Sequence, residues 1–278
     1  MDDSAAEHVK TRIVAFMNQK GGVGKTTTAV NLGAALSADD ARVLLIDLDP
    51  QAHLTLHVGL NPEEMELSVY DLLSDDELPA ERVIQSIDER LSVLPAEVDL
   101  AGAEAELINR PDRQQLLKRK IAPLRDRYDY IMIDCPPSLG LLTLNALALA
   151  DEVVVPMQAQ FLALQGMSKL LETVQLIRAG VNPNLRVSGV VLCMHDSHTN
   201  LAREVVTDLE AFFEQSRDQN VPWRGARVYQ PPIRRNIKLA ECPSFGQTIF
   251  QYEPWCAGGR DYMALAENFA DGQRDEAT

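Results

Sequence analysis

Residues 12–38 read RIVAFMNQKGGVGKTTTAVNLGAALSA, which is a short apolar run, a glycine-rich turn and a helical pattern in that order. The run at residues 12–18 has the β-branched and apolar character of a buried strand, and the residues from Lys25 onward predict a helix. Glycines in such a turn let backbone N–H groups approach phosphate oxygens, and the start of the helix adds the positive end of its dipole. The stretch therefore predicts a strand, a phosphate-binding loop and a helix.

The same alternation continues along the chain. Further apolar runs read RVLLIDLD, YIMIDCPP, EVVVPM, VSGVVLCM and RVYQ, and helical patterns such as ALQGMSKLLETVQLIRAG separate them. Continuous apolar strands are typical of a parallel sheet that is covered on both faces. The expected fold is α/β, a doubly wound, mostly parallel sheet with helices on both faces. Because no repeat or low-complexity linker divides the sequence, we expect one domain over residues 1–278, with a core of about 11–270.

Composition and cysteine spacing exclude several classes of protein. Hydrophobic residues make up 46% of the chain, too many for a disordered segment, yet no apolar run is long enough to span a membrane. The first ten residues, MDDSAAEHVK, are acidic and polar and do not resemble a secretory signal. The four cysteines lie far apart without a CxxC pair. This spacing disfavours a disulfide framework or a zinc site and predicts a cytoplasmic protein.

The net charge of −15 is unevenly distributed. Residues 61–106 hold fourteen acids and two arginines, and we expect this irregular region to be a solvated insertion with surface helices and a short strand near LSVLP. Residues 223–240 hold five cations and no acid. Such a segment predicts a basic face for nucleic-acid phosphates, although the cations could instead solvate a turn or pair with the acidic region. The five cations are Arg224, Arg227, Arg234, Arg235 and Lys238.

The glycine-rich turn also carries the side chains that nucleotide chemistry requires. Lys25 can reach the β- and γ-phosphates, the Thr26 hydroxyl can ligate Mg²⁺, and Thr27 can donate to an outer phosphate oxygen. The usual pattern GxxxxGK[ST] has glycine where this chain has Gln19. An incidental lysine in a glycine-rich turn is the alternative, but the order of strand, loop and helix disfavours it. The loop backbone expected to contact phosphates is Gly21, Gly22, Val23 and Gly24.

Two later apolar strands end in acids that should lie beside this loop. Residues 44–51 read LLIDLDPQ and residues 131–138 read IMIDCPPS. Open α/β sheets bind ligands at the carboxyl ends of their strands, and Mg·ATP needs oxygen ligands, commonly through retained waters. Asp134 is therefore expected to act on Mg²⁺ through water. Either acid alone could simply cap a strand, but three motifs in this order favour a nucleotide site.

These motifs resemble those of ParA/Soj partition ATPases, the deviant Walker-A group of the MinD/ParA superfamily. The resemblance covers most of the chain, through KGGVGKT, VLLIDLDPQ, IMIDCPPSLGLLTLNAL, NLAREVV and RNIKLAECPSFGQTI. It implies an ATPase that uses Mg²⁺ and ATP, forms an ATP-dependent homodimer and binds non-specific double-stranded DNA at the nucleoid. It also implies a ParB-like activating protein, slow intrinsic turnover and no membrane partner. The cargo stays open among a chromosome, a plasmid and a protein assembly.

The resemblance assigns roles to individual residues. Lys20 matches the family's signature lysine, which crosses a dimer to the partner's phosphates. Asp49 matches the aspartate that orients the attacking water, and Gln51 beside it is expected to contact the nucleotide. Asn236 matches an asparagine near the base.

Two positions depart from the family pattern. Arg234 stands two residues before Asn236, where the family has proline, and this leaves the recognition of the base open. Residues 196–199 read DSHT where the family commonly has DART, and this leaves the DNA-contacting surface open.

Other functions on the same fold stay open. A MinD-like spatial regulator would end in a basic amphipathic helix, whereas this sequence ends AENFADGQRDEAT. A biosynthetic or redox ATPase is a further alternative, and its iron–sulfur form would need bridging cysteines in a dimer. His53 and His57 are interpreted as surface histidines, and Cys135 as a small core residue.

Overall fold

The computed structural model describes residues 11–160 and 163–271, and eight strands lie within these ranges. The strands are β1 (Arg12–Phe16), β2 (Val43–Asp47), β3 (Gln85–Ser86), β4 (Leu91–Leu94), β5 (Tyr130–Asp134), β6 (Glu152–Met157), β7 (Arg186–Leu192) and β8 (Arg227–Val228). They form one sheet in the order β3-β4-β2-β5-β1-β6-β7-β8. Every neighbouring pair is parallel except β3 with β4, so the predicted doubly wound, mostly parallel sheet is confirmed.

The helices that join and cover the strands follow the predicted alternation. They are α1 (Lys25–Ala38), α2 (His53–His57), α3 (Val69–Ser74), α4 (Ala103–Leu107), α5 (Leu116–Ile121), α6 (Leu141–Leu149), α7 (Ala163–Gly180), α8 (Asn200–Ser216), α9 (Ile237–Glu241), α10 (Ile249–Tyr252) and α11 (Ala257–Asp271). Short 3-10 turns lie at Pro62–Glu64, Ala80–Arg82, Val98–Ala101, Ala122–Arg127 and Cys242–Phe245. No helix in the described ranges has both the length and the apolar character that crossing a bilayer demands.

The central strands are apolar throughout because both of their faces are covered. All residues of β1, β2, β5 and β6 are buried. Alternate side chains of β1 enter two core layers: Ile13 and Ala15 join the layer under α5 to α8, and Val14 and Phe16 join the layer under α1 and α11. Burial of large aliphatic side chains at about 25 cal/mol per Å² is the main force that holds these layers together.

The acidic region at residues 61–106 is only partly the solvated insertion that its charge suggests. The expected strand is present as β4, which pairs in parallel with β2 and extends the sheet. Val69, Leu72 and Leu73 are at most 1% exposed and belong to the core layer under α5 to α8. The expectation of a merely solvated segment is wrong because apolar residues at helical spacing lie between the acids and cover the sheet beyond β2.

The parallel register places the ends of three strands at one edge of the sheet. Phe16 at the end of β1 pairs with Asp134 at the end of β5, and Asp134 pairs in turn with Asp47 at the end of β2. The glycine-rich loop leaves β1 at this same edge. The fold thus gathers all three sequence motifs at the carboxyl ends of neighbouring strands, as the parallel sheet requires.

Candidate nucleotide site

The loop between β1 and α1 has the backbone conformation that only glycine adopts easily. Gly22 and Gly24 have φ angles of +71° and +93°. A Cβ atom on Gly24 would lie 3.1 Å from the Cβ and Sγ atoms of Cys193, so the position is also sterically closed. No side chain caps the start of α1. The first-turn N–H groups of this helix therefore remain for an anionic ligand.

Lys25, the first residue of α1, is only 8% exposed and lies between two carboxylates. Its Nζ atom is 3.2 Å from Asp134 Oδ1 and 3.9 Å from Asp49 Oδ2. Burial by itself lowers the pKa of Lys25, but the charges of these two carboxylates raise it above its ordinary value. The side chain is consequently a fixed cation at the mouth of the loop.

Thr26 and Asp134 place two oxygen atoms of the kind that ligate metal ions side by side. Thr26 Oγ1 donates to Asp134 Oδ2 at 2.5 Å. Asp134 is fully buried, and burial raises its pKa even though Lys25 and the Thr26 hydroxyl act in the opposite direction. A hydroxyl and a buried carboxylate side by side are the hard oxygen ligands that Mg²⁺ prefers, directly or through water, so the residues fit this ion.

Asp49 is held by Asp47, the other acid of the LLIDLDPQ motif, to which the sequence assigned no separate role. Asp47 Oδ1 accepts from the Asp49 backbone N–H at 3.1 Å, and Asp47 Oδ2 accepts from the Thr55 N–H at 2.9 Å and its hydroxyl at 2.8 Å. Burial, together with the charge of Asp134, raises the pKa of Asp47 to about 7. Asp49 Oδ1 in turn accepts from the Gln51 N–H at 3.0 Å.

The glycine-rich loop, Lys25, Thr26 and Asp49 line one cleft of about 860 Å³. Its walls include the predicted catalytic residue Asp49 and eight of the residues predicted for nucleotide contact: Lys20, Gly21, Gly22, Gly24, Lys25, Thr26, Thr27 and Gln51. Val23 is only 2% exposed, so its side chain belongs to the core. Its contribution to the loop is therefore its backbone. The volume lies within the range of ligand pockets for small molecules.

The cleft is also lined by residues to which the sequence assigned no role in it. His57, Pro243 and Ser244 lie there. The interpretation of His57 as a surface residue is wrong, since it is 2% exposed, its Nε2 atom is 3.6 Å from Cys242 Sγ, and burial lowers its pKa to about 4. His53 is exposed as expected, and Cys135 is fully buried.

Asn236 lies in an adjoining pocket of about 290 Å³ that shares Gly24 and Thr27 with the cleft. Its Oδ1 atom accepts from the Lys238 N–H at 2.8 Å and caps α9. Arg234, the departure from the family's proline, is bound to Asp261 of α11 by its Nε atom at 2.8 Å and its Nη2 atom at 2.6 Å. This paired contact fixes the segment before Asn236. The family's proline would fix the same segment in another way, by restricting its backbone.

Lys20 lies apart from the Lys25 cluster. Its side chain is exposed, its Nζ atom donates to Gln160 Oε1, and its backbone N–H donates to Asn18 Oδ1 at 2.9 Å. Lys20 therefore lies at the rim of the cleft and not beside the carboxylates of Asp49 and Asp134.

The five predicted DNA-binding cations do not form one patch. Arg224 precedes β8 at the opposite end of the sheet, whereas Arg235 follows β8 at the nucleotide end. Within the described residues, both are exposed and neither side chain makes an ion pair. The other three have partners: Arg227 donates to the Asn268 carbonyl at 2.9 Å, Arg234 binds Asp261, and Lys238 lies 2.9 Å from Glu241. The expectation of a single basic face is wrong, because β8 runs between Arg224 at one end of the sheet and Arg235 at the other.

Comparisons with known proteins agree with this geometry. A family model described as "AAA domain" matches residues 11–187. The chain is 45% identical over 259 residues to the sporulation initiation inhibitor protein Soj of Bacillus subtilis, covering 93% of this chain and 98% of that protein. It is 43% identical over 255 residues to the chromosome partitioning protein ParA of Myxococcus xanthus, covering 91% and 86%.

Among solved structures, the chain resembles a cobyrinic acid a,c-diamide synthase from Mycobacterium smegmatis with bound ATP analogue and magnesium. The two are 36% identical with a TM-score of 0.79, over 96% of this chain and 97% of that one. Its ligands agree with the cofactors expected for this site, Mg²⁺ and ATP. Together with the phosphate loop, the two strand-end acids and the parallel sheet, these likenesses show that the chain belongs to the Soj/ParA family of ATPases.

Proposed function

We propose that this chain is a Mg·ATP-dependent switch that dimerises with ATP, binds DNA without sequence preference in that state and segregates DNA. A ParB-like partner stimulates its hydrolysis, and the chain works in the cytoplasm at the nucleoid. The observation that carries the proposal is the convergence of Lys25, Thr26, Asp49 and Asp134 at one sheet edge. Each supplies one part of what phosphoryl transfer to water requires.

The roles follow from position and charge. Lys25, the loop amides of residues 21–24 and Thr27 hold the phosphates, and Asn236 lies where the base would enter the adjoining pocket. Thr26 and, through water, Asp134 would hold Mg²⁺, which when bound would neutralise negative charge on the phosphates. Asp49 orients the attacking water, since its carboxylate lines the same cleft on a backbone that Asp47 fixes.

Dimerisation is supported by the placement of Lys20. Its ammonium group is exposed at the rim of the cleft, and its contact there is an amide oxygen of Gln160, which does not neutralise its charge. An exposed cation held by a neutral group can move to the phosphates of a second copy at little electrostatic cost. Two copies related by a two-fold axis would each supply one such lysine.

Binding to DNA is supported by Arg235, the exposed arginine beside Asn236 in the base-side pocket. Its nearness to the nucleotide offers a reason for binding to depend on ATP. A dimer would present this arginine twice to one duplex and gain through effective concentration. The curated relatives carry names in chromosome partitioning, which favours DNA over a protein assembly as the cargo.

Duplex binding measured with ATP, with ADP and without nucleotide tests the proposal. If Arg235 and Lys238 of both subunits neutralise about four phosphates, the affinity should fall with salt at a log–log slope of about −4, for every sequence alike. Arg235→Glu should weaken binding and flatten this slope. Arg82→Glu makes the same charge change at an exposed site in the acidic region and should have little effect. Affinity that ignores both nucleotide and salt would contradict the proposal.

An amide-forming synthase is the second candidate, because the structural neighbour named above carries such a name. Under that function, an acid substrate and a nitrogen donor should stimulate ATP turnover, and DNA with a ParB-like protein should not. A MinD-like role is disfavoured by α11, whose Leu265 and Phe269 are fully buried against the sheet and are not available to a bilayer.

A further inference from the structure

A second cleft lies at the end of the sheet opposite the nucleotide site. It encloses about 540 Å³ where β1, β6 and β7 begin, between the turn after α7 and the segment that leads into β8. Five arginines and one carboxylate are among its lining residues. They are Arg12, Arg178, Arg186, Arg224, Arg227 and Glu152.

The carboxylate neutralises only part of this charge. Glu152 is fully buried, and it accepts from Arg12 Nη2 at 3.1 Å and lies 3.7 Å from Arg186 Nη2. Arg178 donates through Nε to the Pro183 carbonyl at 3.2 Å, and within the described residues neither Arg178 nor Arg224 has an acid partner. Arg178 and Arg224 thus give the lining an excess of positive charge in a protein whose net charge is −15.

Hydrogen bonds to the end of α11 occupy two of the five arginines. Arg12 Nη1 donates to the Phe269 carbonyl at 2.7 Å, and Arg227 Nη2 donates to the Asn268 carbonyl at 2.9 Å. These contacts stabilise the last turn of α11, where cations are favourable. Arg178 and Arg224 make no such contact with α11, yet they lie on the same cleft.

We propose that this cleft binds a compact oligophosphate, at a site separate from the Mg·ATP site. Guanidinium groups bind phosphate oxygens through paired hydrogen bonds, and several of them around one concavity favour a ligand with more than one phosphate. The volume is that of a small-molecule pocket. A DNA duplex is a poorer fit, because a rigid rod cannot enter a cleft of this volume.

Titration calorimetry with inorganic tripolyphosphate, in EDTA, tests this proposal. The parent for the titration is Lys25→Ala, so that competing binding at the phosphate loop is strongly weakened. We expect binding that weakens with salt, and about tenfold weaker binding when Arg224→Ala or Arg178→Ala is added. Arg82→Ala is the matched control, since it removes an exposed arginine elsewhere and should leave the affinity unchanged.

A parallel titration with a short DNA duplex separates the two sources of phosphate. Failure of tripolyphosphate to bind would overturn the proposal, and so would an equal loss of affinity in Arg82→Ala. If Arg224→Ala weakened duplex binding while tripolyphosphate did not bind, the cleft would be a DNA contact instead. Thermal melting of each variant checks that the fold is retained, so that a loss of binding can be assigned to the cleft.

Discussion

Replacement of Asp47 by asparagine tests the idea that a buried carboxylate positions Asp49. Asp47 accepts three hydrogen bonds, one from the Asp49 N–H and two from Thr55. An amide has only one oxygen. If that oxygen stays with Thr55, the amide NH₂ group faces the Asp49 N–H, and two donors meet without an acceptor. Asp49 should therefore lose its fixed position.

The effect on stability depends on pH in a direction that the structure predicts. The folded state raises the pKa of Asp47 from 3.8 to about 7, so between these values the folded protein holds a proton that the unfolded chain releases. The free energy of unfolding consequently falls as pH rises through this window, by about 4 kcal/mol in total. Asp47→Asn removes this pH-dependent fall in the free energy of unfolding. It also leaves one buried donor unpaired, which destabilises the folded state by about 1–3 kcal/mol. The variant should be more stable than the parent at pH 8 and less stable at pH 4.

Urea unfolding at several pH values, together with ATPase kinetics, measures both effects. We expect kcat to fall about tenfold to a hundredfold with little change in KM for ATP, because Asp47 makes no hydrogen bond or ion pair with Lys25 or Thr26. The control is Asp129→Asn, since hydrogen bonds from Arg42 lower the pKa of Asp129 and the stability difference should have the opposite pH dependence. Parallel stability curves for Asp47→Asn and the parent, or unchanged kcat, would refute the reasoning.

Three further substitutions separate the roles at the nucleotide site. Lys25→Ala should weaken ATP binding at least a hundredfold in a fluorescence titration, because the cation between Asp49 and Asp134 is lost and these carboxylates then repel phosphates; unchanged affinity would exclude a phosphate loop. Asp49→Ala should keep ATP, slow its hydrolysis about a hundredfold and elute as a dimer with ATP on a sizing column, whereas normal turnover would remove Asp49 from the mechanism. Lys20→Ala should bind ATP as a monomer but fail to dimerise, and an intact ATP dimer would leave Lys20 without a role.

The sheet, and the edge of it at which the glycine-rich loop lies, could be predicted because both depend on the local pattern of apolar residues, glycines and acids. Strands such as β5 and β6 are buried on both faces, so their sequences are unbroken apolar runs. The predicted helix at residues 163–180 coincides with α7. Parallel pairing then requires the carboxyl ends to meet at one edge of the sheet, and this predicts that Asp134 lies at the same edge as the loop.

Contacts between distant segments could not be predicted in this way. Arg234 and Asp261 are 27 residues apart and no periodicity joins them, so the sequence indicates Arg234 only as one of five candidate DNA-binding cations. The cations at residues 223–240 are close along the chain. Because β8 runs between them, however, Arg224 lies at one end of the sheet and Arg235 at the other. Asp47 and Asp49 lie two residues apart after the same apolar run, and only the observed hydrogen bonds distinguish the positioning acid from the acid that lines the cleft.

The two walls of the nucleotide cleft meet through a backbone contact that leaves no room for a side chain. Gly59 lies just after α2 on the Asp49 side, and Gly246 lies just after the Cys242–Phe245 turn on the Asn236 side. A Cβ on Gly59 would be 2.8 Å from the Gly246 carbonyl oxygen, and a Cβ on Gly246 would be 2.6 Å from Gly59 Cα. Both residues also have positive φ angles, of +87° and +62°. Since close-packed backbone transmits displacement, a shift of the segment that follows Asp49 would press on the segment that follows Asn236, and this contact couples the Asp49 side of the cleft to the Asn236 pocket.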